Sequence, residues 1–292
     1  MKTGVIGLGA MGAPMARNLA RAGLLQAVWN RSAEKAATLA QELGCRHAST
    51  PAELARTCDV VLINVSADAD VLAVASAILP GLHAGSIVID CSTVSADTAR
   101  QLARQLSGAG AQCLDAPVSG GVEGAKQGTL AIMVGGDAEA LERARPVLAA
   151  IGKTITHFGP SGAGQAAKAT NQILCAGVIQ AVGEAMAFAK AEGLPLGALI
   201  DTLSKGAGGS WYFQNRAPFM QRDAYPPGFK VRLHLKDLGI CSDMAARHGV
   251  TLPMVESMRT DYQRLIDAGY GDEDISAIHR LSEALFGREK LM

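Results

Sequence analysis

An apolar run at residues 3–8 ends in Gly7-Leu8-Gly9-Ala10-Met11-Gly12 and passes straight into a helix-forming stretch at 13–22. Strand, glycine turn and helix in that order restrict the fold more than any other feature of the chain. They specify a parallel crossover unit with a dinucleotide site at its turn. Gly7 permits the tight turn, Gly9 lets the backbone approach a pyrophosphate, and Gly12 lets the helix pack closely on the strand. The helix N-terminus offers unbonded N–H groups and a positive dipole end to the phosphates. Leu8, Ala10 and Met11 complete the turn, and all six residues are assigned to cofactor binding. Glycines also mark ordinary turns, so the strand before and the helix after carry the weight of the assignment.

An NAD site usually carries an acid about 20 residues further on, bonded to the ribose 2′-hydroxyl. Here no acid precedes Glu34, and the second strand, residues 25–29, runs out into Asn30-Arg31-Ser32. A carboxylate there repels a 2′-phosphate, whereas a guanidinium binds one through paired charge-assisted hydrogen bonds. Asn30 and Ser32 could equally cap the helix starting near Ala33, with Arg31 in solvent. The two roles are compatible. Asn30, Arg31 and Ser32 are therefore assigned to the cofactor, with NADP expected and NAD as the alternative.

The rest of the chain points to an α/β enzyme. Lys plus Arg equals Asp plus Glu, 27 each, so no field is built for nucleic acid or an anionic membrane. The six cysteines are scattered without a C-x-x-C pair, which predicts reduced, mostly buried thiols and a cytoplasmic location. No companion histidines stand at metal spacing, and no metal is expected. No apolar stretch is expected to approach a membrane span, and the N-terminal apolar run reads as a strand, not a signal peptide.

Residues 1–162 alternate strand and helix. Helix is expected at 33–43, from Thr50-Pro51, at 96–106 and at 138–150. Strand is expected near 45–47, at 59–65, 86–90, 111–114 and 131–134. That alternation predicts a doubly wound, mostly parallel sheet. Asn64 and Val65, which end the strand at 59–65, are counted with the cofactor-binding residues. From 163 to 192 there is no proline and apolar residues recur at helical spacing, which predicts a linking helix about 45 Å long. Further helices are expected at 196–204, 210–222, 233–248, 253–268 and 275–285, with no strand. The chain therefore divides into an α/β domain at 1–162 and an all-α domain at 163–292.

Three constellations carry chemistry. Asp115-Ala-Pro-Val-Ser-Gly-Gly121 reads as a loop after a strand, in which Ser119, Gly120 and Gly121 expose donors suited to a small carboxylate. A glycine-rich segment that merely turns the chain has the same appearance. Asp90-Cys-Ser-Thr93 puts hydroxyls at a strand's C-terminal end, where ligands of open α/β sheets bind. Helix capping by Ser92 or Thr93 is the competing explanation. Lys168, Asn171, Gln172 and Cys175 share one face of the long helix. A desolvated lysine has its pKa lowered toward neutrality and suits a general acid/base, although most lysines are simply solvated.

Together, GLGAMG, DAPVSGG at 115–121, the G-x-x-x-K-x-x-N-Q helix and Lys236-Asp237-Leu238 resemble the β-hydroxyacid dehydrogenases. That family includes 3-hydroxyisobutyrate dehydrogenase and tartronate semialdehyde reductase, and the resemblance covers the whole chain. It implies a Rossmann domain followed by a helical domain, and redox chemistry between a small 3-hydroxy acid and its semialdehyde. It further implies Lys168 as catalytic acid/base, Asn171 orienting substrate, and Ser119, Gly120 and Gly121 holding the carboxylate. Thr93 and Lys236 would sit by the nicotinamide. Trp211, in Gly208-Gly-Ser-Trp-Tyr-Phe213, is assigned to the substrate pocket, although Trp211 and Phe213 could instead anchor the helical core. Relatives that dimerise or tetramerise imply a homo-oligomer. The Asn30-Arg31-Ser32 run looks more like NADP-using glyoxylate and succinic semialdehyde reductases, which often diverge from DAPVSGG. Imine reductases resemble the chain in fold but usually lack the lysine. A nucleotide-binding scaffold without catalysis would not need Lys168 or Asn171.

Overall fold

The computed structural model describes residues 1–287. The chain forms two compact units that divide after Lys168. In the first, β1 (Thr3–Ile6), α1 (Gly12–Arg21), β2 (Leu25–Trp29), α2 (Ala33–Leu43), β3 (Arg46–His47) and α3 (Pro51–Arg56) follow the expected alternation. Thr50 caps α3, accepting the Glu53 N–H, and Pro51 fills the first position, where its missing N–H costs nothing. Next come β4 (Val60–Ile63), α4 (Asp68–Ile78), β5 (Ile87–Asp90), α5 (Ala96–Ser107) and β6 (Gln112–Asp115). Every residue of β1, β4 and β5 is buried, as strands covered by helices on both faces must be.

The six strands lie in the order β3-β2-β1-β4-β5-β6, all parallel, the doubly wound arrangement of a Rossmann sheet. The remainder of the unit contains the strand expected at 131–134 and the helix expected at 138–150, but departs from the expected pattern before and after them. Residues 115–121 are not a single loop: Asp115 ends β6, Val118–Ser119 forms β7, and Gly121–Gln127 forms α6. Strand β8 (Leu130–Gly136) pairs antiparallel with both β6 and β7. After α7 (Ala138–Ile151), β9 (Gly152–Gly159) adds parallel to β8. β9 was not expected, because most of its side chains face solvent and it carries no apolar alternation.

Helix α8 (Ala163–Ala191) is 29 residues long. The division into compact units falls within it, after Lys168 and not at 162/163, and its first turns are bonded to Asp115 at the end of β6 and to the Val118 carbonyl of β7. By length and composition it could also cross a bilayer, its best 18-residue window having mean hydropathy 1.5, which corrects the expectation that no stretch comes close. A helix in a protein core passes the same test.

The second unit contains the rest of α8, then α9 (Leu196–Leu203), α10 (Trp211–Arg222), α11 (Val231–Ala246) and α12 (Pro253–Asp267). A 3-10 turn (Ile275–Ile278) leads into α13 (His279–Ala284), where one continuous helix was expected. Ile179, Met186, Phe213, Met220, Leu238, Met258, Tyr262 and Leu265 form its core. Its only extended pairing among the described residues is the isolated bridge between Lys230 and Asp274. Of the free cysteines, Cys58, Cys91, Cys113 and Cys241 are buried, and Cys45 and Cys175 are partly exposed.

Candidate active site

The three glycines of the first turn serve different ends. Gly7 has φ +91°, and a Cβ there would lie 2.1 Å from the Asn64 carbonyl oxygen. A Cβ on Gly12 would lie 1.9 Å from the Gly7 carbonyl oxygen. Both glycines are required by the protein's own packing. At Gly9 an added Cβ meets nothing within 4 Å. The open space lies at the glycine whose backbone must approach a pyrophosphate, so the turn fits a dinucleotide. Asn64 and Val65 do lie against the turn: the Val65 side chain would be 3.1 Å from a Gly7 Cβ. The Asn64 N–H donates to the Ile6 carbonyl at 2.9 Å. Ala10 is exposed, and Met11 packs against the core.

At the end of β2 the expected side-chain caps are absent, while Arg31 stands in solvent. Asn30 does not cap α2: its Oδ1 accepts the Leu8 N–H at 3.0 Å and its Nδ2 donates to the Ser32 carbonyl at 3.2 Å. It braces the glycine turn. Ser32 occupies the N-cap position, but its side chain makes no capping bond. The Arg31 side chain is 92% exposed and reaches out to Asp70 on α4, Nη1 to Oδ1 3.7 Å. An acid 39 residues away in sequence therefore stands beside Arg31.

The second half of this unit builds a buried polar cluster at the C-terminal ends of β5 and β6. Asp115 Oδ1 accepts the Gly162 N–H at 2.8 Å and its Oδ2 accepts the Gln165 N–H at 3.0 Å, so it holds the first turn of α8. Burial raises its pKa, opposed by those N–H donors. Gly164 has no room for a side chain, since a Cβ would lie 2.4 Å from the Met133 carbonyl oxygen. The helix therefore begins pressed against the strand ends, and one turn on it delivers Lys168. That lysine is 8% exposed and its Nζ donates to the Val118 carbonyl at 2.8 Å, beside Ser119-Gly120-Gly121. It is not a solvated surface lysine. Gly120 (φ +130°) and Gly121 (φ +65°) are needed by the turn from β7 into α6.

Ser92 and Thr93 do not cap α5, which is capped by Ser95. Ser92 instead joins the cluster: its N–H donates to Asp90 Oδ1 at 3.0 Å, and its Oγ accepts the Val65 N–H at 2.9 Å. Asp90 is fully buried, and among the described residues its Oδ2 finds no hydrogen-bond partner. Burial pushes its pKa up to about 7, with Asp115 and Asp68 adding to the rise and the Ser92 bonds opposing it. Thr93 stands between Ser92 and Val94, both bonded to Gln165. Asp90 stood in the Asp90-Cys-Ser-Thr93 motif without a role of its own, and Gln165 was missed because its side-chain partners lie on a distant segment. The one available signal was that Gln165 precedes Lys168 by three on a helix, hence on the same face.

In the second unit, Asn171 and Lys236 are joined through two buried residues. Asn171 Nδ2 donates to Gln172 Oε1 at 2.8 Å, Gln172 Nε2 to Asp237 Oδ2 at 2.7 Å, and Lys236 Nζ lies 2.9 Å from Asp237 Oδ1. Asn171 also reaches Cys175 Sγ at 3.4 Å. Trp211 is 56% exposed, set edge-on to Tyr212 and beneath the Arg216 guanidinium at 4.8 Å. Phe213 is buried in the helical core, so of the two aromatics it is Phe213 that anchors. Among the described residues, no group of three or more His, Cys, Asp or Glu side chains could hold a metal ion.

The NAD-binding domain family of 6-phosphogluconate dehydrogenase matches residues 2–159. The family described as NAD-binding of NADP-dependent 3-hydroxyisobutyrate dehydrogenase matches residues 162–282. An NAD-dependent L-serine dehydrogenase of Pseudomonas aeruginosa is 36% identical, covering 97% of this chain and 98% of that protein. An L-threonate dehydrogenase of Cupriavidus necator is 38% identical, covering 95% of each. The solved 3-hydroxyisobutyrate dehydrogenase of Mycobacterium tuberculosis with L-serine is 35% identical at a TM-score of 0.87, covering 96% of this chain and 98% of its own. A nicotinamide-nucleotide turn, a helical second unit and these relatives lead to one conclusion: the chain belongs to the β-hydroxyacid dehydrogenases and is an oxidoreductase acting on hydroxyacids.

Proposed function

We propose that this enzyme interconverts a small 3-hydroxy acid and its semialdehyde, with NADP preferred and Lys168 as general acid/base. The observation that carries the proposal is the burial of Lys168 with its Nζ on the Val118 carbonyl, next to Ser119. A buried ammonium is costly to maintain, and its position beside Ser119-Gly120-Gly121 suits chemistry on a carboxylate-bearing substrate. A bound nicotinamide supplies the hydride to the carbonyl carbon, or takes it up in the reverse direction. Lys168 as ammonium stabilises the negative charge that grows on the carbonyl oxygen and delivers the proton. Neutral, it removes the hydroxyl proton in the oxidative direction. Ser119, Gly120 and Gly121 hold the carboxylate, Asn171 orients the substrate, and Trp211 borders it. Thr93 and Lys236 serve the nicotinamide end.

NADP rests on Arg31, exposed and without an acid in its own strand end. NAD is the second reading, favoured by the nearby Asp70 carboxylate and by the NAD-dependent Pseudomonas relative. The exposed apolar side chains Leu174 and Phe188 on α8 fit a homodimer or homotetramer. Balanced charge fits an enzyme with no nucleic-acid or membrane partner, and its free cysteines fit a cytoplasmic one.

The test is a spectrophotometric panel. NADPH oxidation is followed with methylmalonate semialdehyde, tartronate semialdehyde, glyoxylate and succinic semialdehyde; NADP reduction is followed with 3-hydroxyisobutyrate, L-serine and L-threonate. A 3-hydroxy acid or its semialdehyde should react fastest, and glyoxylate or succinic semialdehyde leading the panel would move the enzyme to the other reductases. Lys168→Ala should reduce kcat by at least about 10³-fold while nucleotide binding survives. Turnover at the wild-type level in that variant would overturn the role of Lys168.

A further inference from the structure

Gln165 is 1% exposed, and its side-chain amide and backbone N–H at the start of α8 are engaged across the fold. Its Nε2 donates to the Ser92 carbonyl at 2.8 Å and its Oε1 accepts the Val94 N–H at 3.2 Å. Its backbone N–H donates to Asp115 Oδ2 at 3.0 Å. The side-chain amide thus clasps the peptide groups on both sides of Thr93. Those residues belong to the irregular connection between β5 and α5, outside any strand or helix. On the other side of the same connection, Asp90 Oδ1 holds the Ser92 N–H and Ser92 Oγ holds the Val65 N–H.

An apolar side chain of similar length would fill this space without burying an amide. The amide earns its place only if the path of residues 92–94 must be held. Gln165 lies three residues before Lys168 on one helix, so both project from the same face. Its helix is in turn fastened to β6 by Asp115. We propose that Gln165 is a positioning residue that fixes Thr93 in constant relation to Lys168. The hydride path and the proton donor are then held in register by one side chain. The inference rests on the assignment of Lys168 as acid/base and Thr93 to the nicotinamide end.

Three variants test it: Gln165→Met, similar in length without hydrogen bonds; Gln165→Glu, which keeps the acceptor for Val94 but loses the donor to Ser92; and Lys168→Ala. Each is measured for NADPH affinity by fluorescence, for kcat and its primary deuterium isotope effect with 4-deuterated NADPH on the best semialdehyde of the panel, and for melting temperature. Gln165→Met should bind NADPH within about 3-fold of wild type yet lose on the order of 10²-fold in kcat, since displacement by about 1 Å suffices for that. Its isotope effect on kcat should rise as hydride transfer becomes slower. Gln165→Glu should fall between the two. If Gln165→Met does not fold, Gln165→Glu decides alone, by whether kcat falls and the isotope effect rises. Wild-type kcat and isotope effect in the folded Gln165 variants, with Lys168→Ala inactive, overturn the inference and leave the acid/base assignment standing. A lowered melting temperature with unchanged kcat has the same meaning. Wild-type turnover in Lys168→Ala removes the basis of both.

Discussion

The two ends of the first unit's binding edge are built by opposite means. At the glycine turn the important groups are backbone and open space: Gly7 and Gly12 are closed by their neighbours, Gly9 faces nothing, and Arg31 is in solvent. At the ends of β5 and β6 the important groups are buried side chains: Asp90, which holds the Ser92 N–H two residues on, and Asp115, Gln165 and Lys168, each bonded to a distant segment. The difference fits what we propose each end does. Phosphates bring their own charge and need a shape and free donors to receive them. Proton transfer needs a group whose position and ionisation are controlled, which burial and fixed hydrogen bonds provide.

The sharpest way to break this comparison is within the turn itself. Gly12→Ala places a methyl against the Gly7 carbonyl and should cost on the order of 3 kcal/mol or more in stability, read from chemical denaturation. Gly9→Ala should leave the nucleotide-free melting temperature within about 2 °C of wild type while weakening NADP binding by at least about 10-fold. A Gly9→Ala protein that binds nucleotide normally would mean the open space there is not where the pyrophosphate goes.

At the buried end, Asp90 gives a pH signature. Its folded pKa, raised by burial to about 7, lies above the unfolded value near 4. Between those values the folded state holds the proton and the unfolded state does not, so this stabilisation is complete below the unfolded value and is lost as pH rises through about 7. Wild type should therefore lose melting temperature from pH 5 to pH 8 more steeply than Asp90→Asn, whose side chain does not titrate. Parallel curves would mean that Asp90 does not carry its proton in the folded enzyme.

The smallest effects belong to the exposed end. Asn30→Asp combined with Arg31→Leu should lower the NADP-to-NAD ratio of catalytic efficiencies by about 10-fold or more. Asp70→Asn should raise that ratio by only about 2- to 5-fold, because an exposed carboxylate near Arg31 acts through water. A ratio insensitive to both changes would separate Arg31 from cofactor choice.

The order of elements, the glycine turn and the lysine motif were legible because each depends on residues adjacent or at fixed helical spacing. Helix α3 announced itself through Thr50-Pro51, and α8 through 29 residues without a break. Strand β8 was legible at 131–134, but its antiparallel pairing, strand β9 and the short strand β7 within 115–121 were not, since pairing with a distant strand, and not local pattern, decides them. The same holds for Asn30: its sequence position suggested a helix cap, yet its amide braces Leu8 across 22 residues.

By itself the sequence determined that a nucleotide turn stands at the N-terminus and that a lysine, an amide and a serine-glycine-glycine segment are present in the family's order. Those signals are local, and backbone geometry at short range obliges them. Only the tertiary structure decided that Lys168 is buried on the Val118 carbonyl, that Asp115 fastens the helix bearing it, that Gln165 clasps the connection at Thr93, and that Asp70 stands beside Arg31. Burial and long-range hydrogen bonds arise only when distant segments pack together, and those are the interactions that tune a side chain for chemistry.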